Sequence, residues 1–78
     1  MYEITADLII DTKELRCPLP LLKAKQTLEG MQTGQILKVI ATDPTTKSTF
    51  PAYLNRSGDE LLRSDVTGTE ILFYIKKR

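Results

Sequence analysis

Two strand-like runs separated by a single helix-length repeat constrain this chain more than any other feature of it. Tyr2, Ile4, Ala6, Leu8 and Ile10 alternate with Glu3, Thr5, Asp7 and, beyond Ile10, Asp11. That is the period-2 pattern of a strand with one buried face. From Pro18 to Glu29, Leu21, Ala24, Leu28 and then Met31 recur at helical spacing, and Gly30 supplies a stop signal. Residues 35 to 42, QILKVIAT, are rich in β-branched and apolar types and end at Asp43-Pro44, where proline turns the preceding residue away from helix. A helix joining two strands over so short a distance predicts a right-handed crossover between parallel strands.

The remainder of the chain extends this unit. Thr45 or Thr46 can cap a second helix that contains Phe50, Tyr53 and Leu54 and closes at Gly58. Pro51 leaves its start open: a helix beginning near Ser48 holds the proline in its first turn, whereas one beginning at Thr45 is expected to kink. Glu60 to Val66 and Glu70 to Lys76 then flank Thr67-Gly68, the signal of a tight turn between antiparallel strands. The order is βαβαββ. It predicts an α/β (α+β) two-layer sandwich, residues 1–78 forming one domain with two helices on one face of a mixed four-stranded sheet. Phe50, Tyr53, Phe73 and Tyr74 are assigned to packing rather than to base stacking.

Composition removes several function classes. A net charge of +1 provides no global field for nucleic acid or an anionic membrane, so no nucleic-acid or membrane partner is expected. The absence of histidine removes Ser-His and Cys-His pairs and any imidazole metal site, and a single cysteine cannot form an internal disulfide. Residues 1 to 10, MYEITADLII, lack the basic start and continuous apolar centre of a signal peptide, and no stretch approaches the ~20 apolar residues of a membrane span. The expected setting is the cytoplasm.

What chemistry remains centres on Cys17, in the stretch LRCPLP at 15 to 20. If Pro18 is the first helical residue, Cys17 is the N-cap, with its sulfur in place of a capping oxygen and the Leu19 N–H best placed to reach it. Pro20 removes another unpaired donor and stiffens the start of the helix. The positive helix end, with Lys13, Arg16 and Lys23 nearby in sequence, then favours the thiolate. The alternative is a lone cysteine serving as a small core hydrophobe, and the cations as an ordinary solvated face. Polar neighbours and a loop-to-helix boundary favour exposure; the residues alone leave both readings standing.

The Cys17-Pro18-Leu19-Pro20 motif resembles the Cys-Pro-x-Pro signature of the TusA/SirA-like sulfur-carrier family. The stretch DPTTKSTFPAYLNRSGDELL, 43 to 62, is similar to the family's second segment, with Asp43-Pro44, Pro51 and Gly58-x-Glu60-Leu61 in place. The resemblance implies that Cys17 carries sulfur as a persulfide, with Pro18, Leu19 and Pro20 supporting it and Lys13, Arg16 and Lys23 bordering a docking surface. It implies a donor of the cysteine desulfurase or rhodanese type, an acceptor of the DsrE type or similar, a monomer, and no cofactor or metal. The rival from another class is a regulatory interaction domain in which the cysteine only caps a helix. Three positions depart from the family pattern. Glu14 stands where glycine is frequent, so the loop cannot rely on glycine's positive φ; Leu19 replaces the glutamate frequent in tRNA-thiolation members; and the second cysteine of some members is replaced near Leu54.

Overall fold

A computed structural model of the chain describes residues 5–78. Its elements run β1 (Leu8–Thr12), α1 (Leu19–Glu29), β2 (Ile36–Ala41), α2 (Thr46–Ser57), β3 (Glu60–Thr67) and β4 (Glu70–Lys76). The sheet order is β1-β2-β4-β3, with β1 parallel to β2 and the remaining pairs antiparallel. The helical crossover, too long for a hairpin, sets the parallel pair. The hairpin sets the antiparallel one, its two-residue turn placing Gly68 at φ 61, a conformation that suits glycine. That turn is Gly68-Thr69, one residue beyond the expected Thr67-Gly68, because β3 continues to pair through Thr67 opposite Glu70.

Both helices cover one face of the sheet. Leu37, Val39 and Ala41 of β2 and Ile71, Phe73 and Ile75 of β4 alternate inward and meet Ala24 and Leu28 of α1 and Phe50 and Leu54 of α2. Phe50 and Phe73 stack with ring centroids 4.4 Å apart, tying α2 to the centre of the sheet. Tyr53 is half-buried, whereas Tyr74 points to the uncovered face, where the Lys38 ammonium lies 5.6 Å from its ring centre. Tyr74 is therefore a surface residue of the sheet rather than part of the core.

The first strand is shorter than its alternation suggests. Tyr2 and Ile4 lie outside the described residues, and 5–7 are not extended in the ladder. Asp7 instead closes the start of the pair, accepting the Ile36 N–H on its carboxylate and donating its own N–H to the Ile36 carbonyl, each at 2.8 Å. Leu8 is half-exposed because β1 is an edge strand, and burial deepens along it to Thr12, which is fully buried.

The second helix starts at Thr46, with Thr45 as N-cap, so Pro51 sits beyond the first turn. The chain nonetheless stays helical to Ser57, and Gly58, at φ 88, closes it by donating to the Leu54 carbonyl.

Candidate functional site around Cys17

The parallel pair brings the C-terminal ends of β1 and β2 side by side, and the segments that follow them build the site. Thr12 ends β1 with its hydroxyl donating to the Ile40 carbonyl at 2.7 Å, which satisfies a fully buried polar group. The chain then turns: the Leu15 N–H donates to the Thr12 carbonyl at 3.1 Å and the Lys13 N–H to the Asp11 carboxylate at 2.9 Å. Glu14 takes φ 73. The loop therefore adopts the left-handed conformation without glycine, and the Glu14 N–H is held by the Thr42 hydroxyl at 3.2 Å.

Cys17 is not the N-cap of α1. The Leu19 N–H, which sequence reasoning assigned to the sulfur, donates to the Arg16 carbonyl at 2.8 Å. Helical bonding begins one residue later, with the Leu22 N–H on the Pro18 carbonyl at 3.0 Å, making Pro18 the cap and placing Pro20 inside the first turn. The Cys17–Pro18 peptide is cis. The thiol is exposed, which removes the core-hydrophobe reading. Pro18 is exposed next to it in the chain, and Leu19 and Leu22 are exposed at 50% and 45% of their surface, which leaves apolar surface at the start of α1. Pro20, by contrast, is fully buried and packs as a core residue.

The residue that sequence reasoning missed here is Asp43. One carboxylate oxygen accepts the backbone N–H of Cys17. The other accepts both the N–H and the hydroxyl of Thr45, each at 2.9 Å. Thr45 occupies the cap position of α2, and Asp43, two residues ahead of it, holds that residue by its N–H and hydroxyl. The Thr45 N–H, the Cys17 N–H and the Thr45 hydroxyl, in that order, hold the Asp43 carboxyl below the usual carboxylate range; the Arg16 charge adds to the effect and partial burial opposes it. The signal was present as Asp-Pro-Thr at the end of a predicted strand, since an aspartate in a turn readily accepts the backbone N–H two residues on.

The charges near the thiol divide into two groups. Arg16, next to Cys17 in the chain, and Lys23, within α1, are both exposed. Lys13 turns instead to Asp11 at 3.5 Å and Glu70 at 3.8 Å, so its charge is shared with two carboxylates. An open cleft of about 530 Å³ is lined by Glu14, Leu15, Arg16, Thr42, Asp43 and Pro44, among them the residue before Cys17 and the acceptor of its N–H. Another, of about 410 Å³, lies at the other end of α2 against Gly58, Leu61 and Arg78 and shares no residue with it. Among the described residues no group of three His, Cys, Asp or Glu could hold a metal ion, and no helix is long and apolar enough to cross a membrane.

The site thus presents an exposed thiol whose backbone N–H is bonded to the segment before α2. Comparison with known proteins gives the family. The family model described as sulfurtransferase TusA matches residues 8–77. A sulfur carrier protein TusA of Allochromatium vinosum is 47% identical over 68 residues, covering 87% of this chain and 90% of that protein. One from Pseudomonas putida is 37% identical over 78 residues, covering 100% of this chain and 98% of its own. The crystal structure of a SirA-like protein from Desulfitobacterium hafniense superposes with a TM-score of 0.77 over 88% of this chain and 95% of that one, at 20% identity, a likeness of fold.

Proposed function

The chain belongs to the TusA sulfurtransferase family of sulfur carriers, and from that premise we propose that it carries sulfur as a persulfide on Cys17. The observation behind this reading is the exposure of the chain's single thiol at the start of α1. The Cys17 thiolate attacks the terminal sulfur of a donor persulfide; a new S–S bond forms at Cys17 as the donor's S–S bond breaks, and the donor cysteine leaves as a thiolate. The acceptor's thiolate then attacks the outer sulfur and Cys17 leaves in turn. Sulfane sulfur moves with no net oxidation, so neither step needs a second cysteine, a metal or a cofactor.

A donor of the cysteine desulfurase or rhodanese type and an acceptor of the DsrE type fit this sequence of events. Both must reach the same sulfur, and so both dock on the same surface in turn. Pro18, Leu19 and Leu22 supply its apolar part, while Arg16 and Lys23 supply charge that orients an acidic partner. Lys13 contributes less, being engaged by Asp11 and Glu70. A monomer in a reducing cytoplasm suits a lone carrier thiol.

Intact-protein mass spectrometry after incubation with a cysteine desulfurase and cysteine tests the proposal. The expected result is a gain of one sulfur atom, removed by reductant and absent in Cys17→Ser. A reducible sulfur on the Cys17→Ser protein would refute it.

A further inference from the structure

We propose that Asp43 is a positioning residue for sulfur transfer, its carboxylate clamping the backbone of Cys17 to the start of α2. The inference rests on the reading of Cys17 as the carrier and gives a role to Asp43, which lies outside the Cys17-Pro18-Leu19-Pro20 motif.

Cys17 has a free end and a fixed end. Its sulfur is exposed, whereas its N–H is committed to one oxygen of Asp43, and the other oxygen is committed to Thr45. The neighbouring links are local to α1: Leu19 on Arg16 and Leu22 on Pro18 hold the helix start together without fixing where that start lies relative to β2 and α2. Only two hydrogen bonds among the described residues cross from the 13–18 segment to the segment after β2. One is neutral, Glu14 N–H on the Thr42 hydroxyl; the other is Asp43 on Cys17. A hydrogen bond to an ionised carboxylate is roughly twice as strong as a neutral one. Asp43 remains ionised at neutral pH, with its carboxyl held below the usual range by the groups it binds. The thiol is thus presented from a backbone anchored by charge, so less freedom has to be lost when the sulfur meets a donor.

Two substitutions separate this role from simple capping of α2. In Asp43→Asn, the amide oxygen can still accept the Cys17 N–H, but the charge is lost and the NH2 that faces Thr45 can donate to its hydroxyl and cannot accept its N–H. Asp43→Ser offers a single oxygen that can accept the Thr45 N–H two residues on and cannot also serve Cys17. The measurements are sulfur uptake from a purified cysteine desulfurase supplied with cysteine, followed by mass spectrometry at saturating desulfurase, and amide hydrogen exchange resolved at Cys17. We expect Asp43→Ser to melt close to wild type and yet take up sulfur roughly tenfold more slowly, since small displacements of a reacting group cost rate steeply. Its Cys17 amide should exchange faster while Phe50 and Leu54 amides in α2 are unchanged. Asp43→Asn, which keeps an acceptor for Cys17 without the charge, should fall between wild type and Asp43→Ser in both rate and protection. Wild-type uptake with an Asp43→Ser rate equal to it, or equal Cys17 protection in the two proteins, overturns the positioning role alone. A wild-type protein that takes up no sulfur overturns the carrier reading and this role together.

Discussion

The two helices start at the same end of the sheet, a few residues past neighbouring parallel strands, yet they are held in different ways. The start of α2 is tied by a side chain: the Asp43 carboxylate, two residues ahead of the Thr45 cap, accepts the Thr45 N–H and hydroxyl. The start of α1 has no side-chain cap, with Pro18 at the cap position and the preceding cysteine left outside the helical bonding. The difference teaches that a side chain left free at a helix start and one that serves the backbone there are in competition for the same place. Here the cap of α1 lies one residue beyond Cys17, and the cysteine's N–H is held from the segment before α2, through Asp43.

The prolines offer the strongest test of that contrast, because both helices contain one and the expected effects have opposite sign. Pro20 lies in the first turn of α1, where its absent N–H is harmless, and it is fully buried. Replacing it by alanine removes two buried methylenes, a loss of about 1.5 kcal/mol at ~0.8 kcal/mol each. Sequence reasoning treats this proline as a stiffener alone; its burial makes it a packing residue as well. Pro51 lies past the first turn of α2 and deprives the Lys47 carbonyl of its helical partner. An interior proline costs about 3 kcal/mol relative to alanine, partly offset by the ~0.4–1 kcal/mol of unfolded-chain freedom it removes and by its own half-buried packing. Pro51→Ala should therefore raise stability by about 1 kcal/mol in urea titration and Pro20→Ala lower it by about 2 kcal/mol, since the lost proline also frees the unfolded chain. If both changes moved stability in the same direction, the two helix starts would not differ as described.

Much of this architecture is legible in the residues themselves, and the boundary of legibility is physical. The inward faces of β2 and β4 follow from strict alternation, since a buried strand face repeats every second residue whatever else surrounds it. Cys17 stands out because proline and charge surround it. Asp43 does not stand out, because what makes it part of the site is a bond across 26 residues, which depends on how the strands pair rather than on any local pattern. The one-residue shift of the α1 cap is hidden for a related reason: the Arg16 carbonyl competes with the sulfur for the Leu19 amide, and nothing in the order Arg-Cys-Pro-Leu decides that competition. The exposure of Leu8 follows from its strand being an edge, which again is a property of the assembled sheet.

Acid should weaken the start of α2 and the hold on Cys17 together. The folded-state pKa of Asp43 lies below its ordinary value, chiefly through the Thr45 N–H and then the Cys17 N–H. A depressed carboxylate pKa contributes stability above the unfolded value of about 3.9, and that contribution is lost as pH falls through the folded value. Asp43→Asn has no such carboxylate. Wild type should therefore be the more stable of the two at about pH 5, and the gap should narrow as the pH is lowered toward about 3. Amide shifts of Cys17 and Thr45 should move over the same acidic range in the wild type. A gap that stays constant through that range would mean that Asp43 has no folded-state partners that depend on its charge.

The smallest expected effect belongs to Glu14, where the loop between β1 and Cys17 turns through φ 73 without glycine. The left-handed region costs an L-residue roughly 1–2 kcal/mol, so the conformation persists because the surroundings require it. Those surroundings are the Leu15 N–H on the Thr12 carbonyl and the Glu14 N–H on the Thr42 hydroxyl, both backbone bonds that any residue at 14 can keep. Glu14→Gly removes the strain but enlarges the conformational freedom of the unfolded chain, which costs back about 0.4–1 kcal/mol. The net change should be a gain of less than about 1 kcal/mol. Valine at this position, β-branched and ill-suited to positive φ, should instead lower stability by more than the glycine change raises it. Sulfur uptake should be unaltered in Glu14→Gly, because the bond from Asp43 to Cys17 does not pass through residue 14. A Glu14→Gly protein that melts lower than wild type would show that the loop draws stability from the Glu14 side chain itself, and the anchoring of the thiol would then have to be shared between its own loop and α2.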